Sequence, residues 1–175
     1  MLVVVTAPTV EPVSLDEVKE HLRVTTFDQD NLIASYISAA RESIELQTGK
    51  SLAAGTYRWV SERDIGYCNR LPLWSVATIT EVSFLDVDDT RVILTDYIAD
   101  NDRSSISFST LPGGTALNVT FTTIATPIPP SLRAALFLLV TDLYEQGGAV
   151  ITGVPVAINP TIDRLIQPHR VNLGV

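Results

Sequence analysis

Residues 129–144 have the sequence PPSLRAALFLLVTDLY, which predicts a helix that is apolar on nearly every side. Pro130 suits the first helical position and Gly147-Gly148 suits the stop, so the helix is expected over residues 130–146. At about 100° per residue, one stripe forms from Leu132, Leu136, Leu139, Val140 and Leu143. Phe137 and Tyr144 lie about a third of a turn from this stripe, and Leu138 faces nearly the opposite way.

A helix that is apolar on all sides must be covered on all sides, and a small domain covers one stripe easily. Covering the rest requires other surfaces, which a neighbouring copy of the chain could supply. Phe137, Leu138 and Tyr144 are therefore candidate residues of an oligomer interface. The alternative for these three side chains is an ordinary core.

The segments before this helix predict an extended arm and a helical pair. Residues 1–13 form the arm, because Pro8 and Pro12 oppose a helix. Residues 14–48 form the pair: Ser14 and Glu17 match a capping box, and a longer helix is expected over about 29–48. Asp28 is the predicted N-cap of that helix, with Phe27 and Leu32 in contact across its first turn, and Gly49 is its predicted stop.

Residues 56–123 alternate between apolar and polar side chains and are rich in Thr, Val, Ile and Tyr. Strands are expected near 57–61, 67–72, 77–85, 91–94, 96–99, 105–108 and 115–122. Leu117, Val119 and Phe121 alternate strictly with polar residues, which predicts an antiparallel sheet with one face in water.

The chain after the apolar helix predicts a Gly-rich loop over 147–158, a short helix over 159–167 and a tail over 168–175. The fold class is therefore α+β. A bundle of about four helices carries an antiparallel β insert between its second and third helices. Residues 1–175 are expected to form a single domain with these parts.

Composition limits the classes of function. The chain has 175 residues, 46% of them hydrophobic, and a formal net charge of −8. No clustered Lys and Arg would displace counterions from phosphates, so sequence-independent DNA binding is not expected. Cys68 is the only cysteine, which excludes an intrachain disulfide. The chain has no signal-like or membrane-spanning segment, so we expect a soluble protein made in the cytoplasm.

No residue pattern indicates catalysis, a metal site or a cofactor. His21 and His169 lie near the two ends of the chain, and no G-x-S-x-G elbow accompanies them. Asp86, Asp88 and Asp89 lack the spacing of a calcium loop and fit a hairpin turn. Trp59 and Trp74 fit core or rim packing, with a binding platform as the alternative. That alternative would be a small hydrolase or a carbohydrate-binding β module.

Four segments in order carry a resemblance to a known family. They are Pro12–Val24, Asp30–Ile33 running on to Lys50, Leu71–Val76, and Ile128–Leu136 running on to Glu145. Their order and spacing resemble the head–tail connector proteins, also called adaptor or head-completion proteins, of long-tailed bacteriophages and gene transfer agents. The smallest members of that family are nearly all helical, and larger members resemble this chain in its strand-rich part.

The resemblance implies a structural virion protein that is not an enzyme. Such proteins form a ring, usually a dodecamer, beneath the portal of the DNA-filled head. A stopper or tail-completion protein docks below the ring, and DNA leaves through the central channel without specific binding. We expect the tail to reach the portal, with His169, Arg170, Val171 and Leu173 as candidate contacts. The alternative within the same setting is a tail-completion or stopper protein.

Overall fold

The computed structural model describes residues 1–61, 65–86, 88, 90–111, 113–114, 116–146 and 159–171. The chain divides into two compact units. Unit 1 contains Met1–Val10, Gly49–Thr126 and Asn172–Val175, and unit 2 contains Glu11–Thr48 and Pro127–Val171. The predicted loop over 147–158, the Gly147-Gly148 stop and Leu173 lie outside the described residues. Whether the two units form a single folding domain stays a prediction.

Unit 2 is helical. It contains α1 (Leu15–Leu22), α2 (Asp30–Thr48), α3 (Pro130–Gln146) and α4 (Pro160–Ile166), followed by a 3₁₀ turn over Gln167–His169. Helices α2 and α3 pack against each other, α1 packs on both of them, and α4 packs mainly on α3. The predicted capping box of α1 is confirmed, since Ser14 Oγ accepts from the Glu17 N–H and the Glu17 carboxylate accepts from the Ser14 N–H.

The start of α2 differs from the prediction. The N–H of Ile33 donates to the carbonyl of Gln29, so Gln29, and not Asp28, occupies the N-cap position. The apolar pair that would close the first turn is then out of register, and the predicted contact between Phe27 and Leu32 is wrong. Both side chains are exposed, at 80% and 46%.

Unit 1 contains two antiparallel sheets. A five-stranded sheet has the order β1-β2-β8-β4-β5, and a three-stranded sheet has the order β3-β7-β6. The strands are β1 (Leu2–Thr6), β2 (Thr56–Ser61), β3 (Cys68–Arg70), β4 (Val76–Leu85), β5 (Arg91–Ile93), β6 (Ile98–Asp100), β7 (Ser105–Ser107) and β8 (Ala116–Thr123). All seven strands predicted from the sequence are therefore confirmed.

The core of unit 1 collects side chains from both sheets. Leu117, Val119 and Phe121 of β8 are fully buried, as their strict alternation predicts. Tyr57 of β2 stacks on Phe121 with ring centroids 6.1 Å apart. Strand β8 lies at the centre of its sheet, and β2 and β4 pair with its two edges.

The predicted arrangement of a β insert between the second and third helices needs a correction. Strand β1 comes from the arm ahead of α1 and pairs with β2, with Leu2 opposite Trp59 and Val4 opposite Tyr57. The five-stranded sheet is thus built from two separate parts of the chain. The part of the predicted arm over Leu2–Thr6 is extended because it forms this edge strand.

Candidate interaction surface

Helix α3 buries one narrow stripe inside unit 2. Leu132, Leu136 and Val140 are fully buried, as predicted, and Ala135 joins them. The other two members of the predicted stripe behave differently, since Leu139 is half-buried and Leu143 is exposed. The helix thus leaves apolar side chains partly in water beyond its buried stripe.

Phe137 is half-buried, and polar side chains of its own unit flank it. The imidazole of His21 on α1 lies 5.0 Å from the Phe137 ring, centroid to centroid. The guanidinium of Arg133 lies over the same ring at 5.5 Å. The imidazole and the guanidinium therefore cover part of the Phe137 ring. A neighbouring protein that contacts Phe137 would also contact His21 and Arg133.

Tyr144 and Leu138 have different surroundings. The Tyr144 hydroxyl donates to the side-chain oxygen of Gln29, which ties the end of α3 to the start of α2. Leu138 is half-buried. Its alkyl side chain can form no hydrogen bond or ion pair with the rest of unit 2. Leu138 therefore differs from Phe137 and Tyr144, each of which meets a polar group of unit 2.

Glu17 links the cap of α1 to the first turns of α3. Its carboxylate accepts from the Ser14 N–H at 2.9 Å and from the Arg133 guanidinium at 2.5 Å. The hydrogen bond from the Ser14 backbone, followed by that from Arg133, holds the pKa of Glu17 below its ordinary value of 4.5. Because this pKa is lowered, the link stabilises the fold above about pH 4.5 and is lost as the pH falls further.

The beginning of the predicted tail is anchored. The His169 ring lies 2.6 Å from the Ser131 hydroxyl at the start of α3, Nε2 to Oγ. Arg170 pairs with Asp163 at 2.9 Å, and the Val171 N–H donates to the Thr48 carbonyl at 2.8 Å. Three of the four candidate portal residues therefore bond within unit 2, while Leu173 lies outside the described residues.

A buried charge cluster on α2 was missed by the sequence analysis. The Arg41 side chain is only 4% exposed and pairs with Glu45 at 2.6 Å and with Glu11 at 2.8 Å. Burial alone would lower the pKa of Arg41, but the charges of Glu45 and Glu11 outweigh it, so that pKa is raised. The four-residue spacing from Ile37 to Arg41 and Glu45 was the available signal, because it places both charges on the buried face.

Ser131 and His169 are close enough to share a proton, and they raise the question of a hydrolase. A Ser–His nucleophile needs a third group that orients the imidazole. Within residues 1–61, 65–86 and the other described ranges, the His169 ring has no carboxylate partner. The described part of the chain also holds no group of three or more potential metal ligands.

The two tryptophans lie in unit 1, and the binding platform that was the alternative for them stays untested. Trp59 packs against the core of unit 1, and the Trp74 backbone is held by Gly49 and Ser51. An open groove of about 470 Å³ does exist in unit 1, and Thr80, Glu81, Ile93, Leu94 and Tyr97 are among the residues that line it. Neither tryptophan lines this groove. Among the described helices, none has the length and apolar character needed to cross a bilayer.

Comparison with protein-family models gives a match to part of the chain. Residues 12–71 match the model described as Phage gp6-like head-tail connector protein. The predicted resemblance to head–tail connectors is confirmed. The matched segment begins just before the α1 capping box and runs through α2 to β2 and β3. A search of curated proteins found no match to the chain.

Solved structures resemble this chain over almost its whole length. The first is a chain in the neck of an empty gene transfer agent particle computed with C6 symmetry. It is 26% identical with a TM-score of 0.73, covering 97% of this chain and 95% of that chain. A chain of the native gene transfer agent virion gives a TM-score of 0.72 at the same identity and coverage. A chain in the native neck computed with C12 symmetry gives 0.70, with 26% identity and 97% and 94% coverage.

Proposed function

We propose that this chain is a structural virion protein that joins the DNA-filled head to the tail as a head–tail connector. One observation carries the proposal: 97% of the chain superposes on a chain from the neck of a gene transfer agent particle, with a TM-score of 0.73. The family match over residues 12–71 supports the same conclusion independently. The protein's place is then the head–tail junction of a virion.

The finer parts of the proposal concern assembly. Neck structures of the similar proteins were computed with sixfold and twelvefold symmetry, which supports a ring for this chain as well. We propose a dodecamer in the particle, with the portal above it and a stopper or tail-completion protein below it. DNA passes through the central channel without specific binding, which suits a chain of net charge −8. The role is mechanical, and no enzymatic activity belongs to it.

Helix α3 is proposed to contribute to the contact between copies. Leu138 is the leading candidate because it is half-buried and has no polar group engaged elsewhere. Phe137 and Tyr144 are proposed to lie at the edge of the interface between copies. Each already contacts a polar side chain of its own unit, His21 for Phe137 and Gln29 for Tyr144. The strands of residues 56–123, completed by β1, are proposed to act as an insert on this helical framework within a single connector domain.

The C-terminal tail is proposed to contact the portal. The anchored residues change how that idea must be tested. Deleting residues 168–175 would remove the bonds of His169, Arg170 and Val171 to unit 2, and would therefore perturb the fold as well as the contact. Deleting only residues 172–175 leaves those three bonds in place, and the substitution Arg170→Ala tests the remaining exposed cation.

The decisive experiment mixes the purified 175-residue chain with the portal protein of the same particle, followed by co-purification and electron microscopy. We expect a stable complex with a ring of this chain beneath the portal. The chain lacking residues 172–175 is expected to keep its circular dichroism spectrum and to lose portal binding. The opposite result is a chain that does not bind the portal but does bind a preformed connector ring. That result would identify a stopper or tail-completion protein.

A further inference from the structure

Helix α2 carries a second stripe of uncharged side chains outside its buried stripe. This outer stripe follows the four-three spacing of a coiled-coil seam, and its members are Leu32, Tyr36, Ala39, Ser43 and Leu46. Leu32 and Leu46, at its two ends, are 46% and 74% exposed, and Ala39 in its middle is exposed as well. Ile33 and Ile44 of the buried stripe have no exposed surface. The outer stripe is therefore separate from the core of unit 2.

The absence of charge distinguishes the outer stripe from an ordinary exposed helix face. Such a face usually carries charged residues, and the whole chain has a net charge of −8. Glu42 lies at the flank of the outer stripe and is the nearest exposed carboxylate of the helix. Two copies of an acidic chain repel each other where charged surfaces meet, so copies approach most closely through uncharged faces. The charge pattern therefore favours a second copy of the chain as the molecule that covers the outer stripe.

The spacing of the outer stripe indicates which element of the second copy covers it. An alternation of four and three residues keeps one seam facing another helix along its length. From Leu32 to Leu46 the seam is about 21 Å long, because a helix rises 1.5 Å per residue. Among the described helices, α2 and α3 have 19 and 17 residues and match this length. Helices α1 and α4, with 8 and 7 residues, are too short.

Symmetry decides between these two helices. A contact of α2 with α2 is two-fold and ends at a dimer, whereas a closed ring needs contacts between two different surfaces of each copy. The similar neck structures were computed with sixfold and twelvefold symmetry, which favours the second kind of contact. Helix α3 supplies a different surface of the same character, because residues 134–141 contain no charged side chain.

We infer that the outer stripe of α2 in one copy packs against Leu138 of α3 in the next copy. Ala39 and Ser43 are small, so they leave room for the Leu138 side chain between the larger side chains of Tyr36 and Leu46. This inference rests on the proposed function, because the ring makes the second copy available. It names the surface that meets the α3 contact proposed above.

The test uses a short bismaleimide crosslinker and the 175-residue chain with Cys68→Ser, because Cys68 is exposed and would react. Ala39→Cys and Leu138→Cys are introduced separately and together. The chain is crosslinked alone at high concentration and on the purified portal of the same particle. We expect a ladder of products from the double variant, a dimer from the mixed single variants, and no product from either single variant alone.

A matched pair of charge variants on the same helix completes the test. Ala39 lies in the outer stripe, whereas Ala34 is also exposed but lies outside it. We expect Ala39→Lys to weaken self-association by more than about tenfold, because an unpaired ammonium would be buried in the contact. Ala34→Lys should leave self-association unchanged, and both variants should keep the circular dichroism spectrum of the parent chain.

Three results would overturn the inference. The first is a crosslinked dimer of the Ala39→Cys chain alone, which would indicate a two-fold contact. The second is equal behaviour of the two lysine variants. The third is the absence of a mixed product with and without portal, including the case in which the Ala39→Cys chain is crosslinked to portal instead.

The outcomes separate this inference from the proposed function. Rings seen beneath the portal without the product that joins positions 39 and 138 would refute the helix contact and leave the connector role standing. A crosslinked ladder in a chain that never binds portal or a connector ring would support the helix contact and count against that role.

Discussion

The buried arginine of α2 gives the sharpest prediction about stability. The Arg41 side chain is 4% exposed and bonds at 2.6 Å to the Glu45 side chain, which is 5% exposed. Replacing Arg41 by Met fills a similar volume and leaves two carboxylates without their cation. Breaking one side of a buried pair in this way costs about 3–5 kcal/mol, because a charge stays in a site that water hardly reaches.

The companion variants separate charge from packing. Arg41→Met with Glu45→Leu removes both buried charges, while Glu11 keeps the Ser38 hydroxyl at 2.8 Å and partial access to water. We expect the double variant to regain about 2 kcal/mol or more relative to Arg41→Met alone. Glu42→Gln is the control, because Glu42 is 60% exposed and 3.7 Å from Arg41, and it should change stability by less than about 0.5 kcal/mol.

The assay is urea unfolding followed by two signals. Both tryptophans, Trp59 and Trp74, lie in unit 1, so their fluorescence follows that unit. Far-UV circular dichroism follows mainly the helices of unit 2. We expect Arg41→Met to move the dichroism transition to lower urea. A loss below about 1 kcal/mol, or a double variant whose loss is the sum of the single losses, would refute the role given to this cluster.

Three further predictions follow from single sites. Gly49 has a φ of 70°, so Gly49→Ala should destabilise the chain by about 1–2 kcal/mol, measured by urea unfolding; an unchanged midpoint would contradict the strain argument. Glu17→Gln should flatten the loss of thermal stability that the parent chain shows below about pH 4.5, because the pKa of Glu17 is lowered in the fold; parallel pH profiles would refute it. Leu138→Lys should abolish ring formation with portal, whereas Ala134→Lys, at an exposed site of the same helix, should leave it intact; equal rings from both would remove Leu138 from the interface.

The strands could be predicted from the sequence because alternation and turn residues reinforce each other in residues 56–123. The capping box of α1 could also be predicted, because Ser14 and Glu17 stand at the required spacing. The pairing of β1 could not be predicted from the sequence, because a short run of valines has the same pattern in a free arm and in an edge strand. Its partner, β2, lies more than fifty residues further along the chain.

The site was harder to predict than the fold. The excess of apolar residues on α3 was visible, but the sequence does not show that His21 and Arg133 flank Phe137, because those contacts join different helices. The burial of Arg41 was missed because a charged residue within an amphipathic helix ordinarily faces water. The hydrogen bonds and the ion pair that hold His169, Arg170 and Val171 depend on tertiary packing, so no local sequence pattern predicts them.

The most direct measurement is electron microscopy of the 175-residue chain mixed with the portal protein of the same particle, reconstructed without imposed symmetry. The connector assignment predicts one closed ring of this chain against the portal, with a continuous channel through both proteins. A portal that stays bare, or that carries single scattered copies, would contradict it.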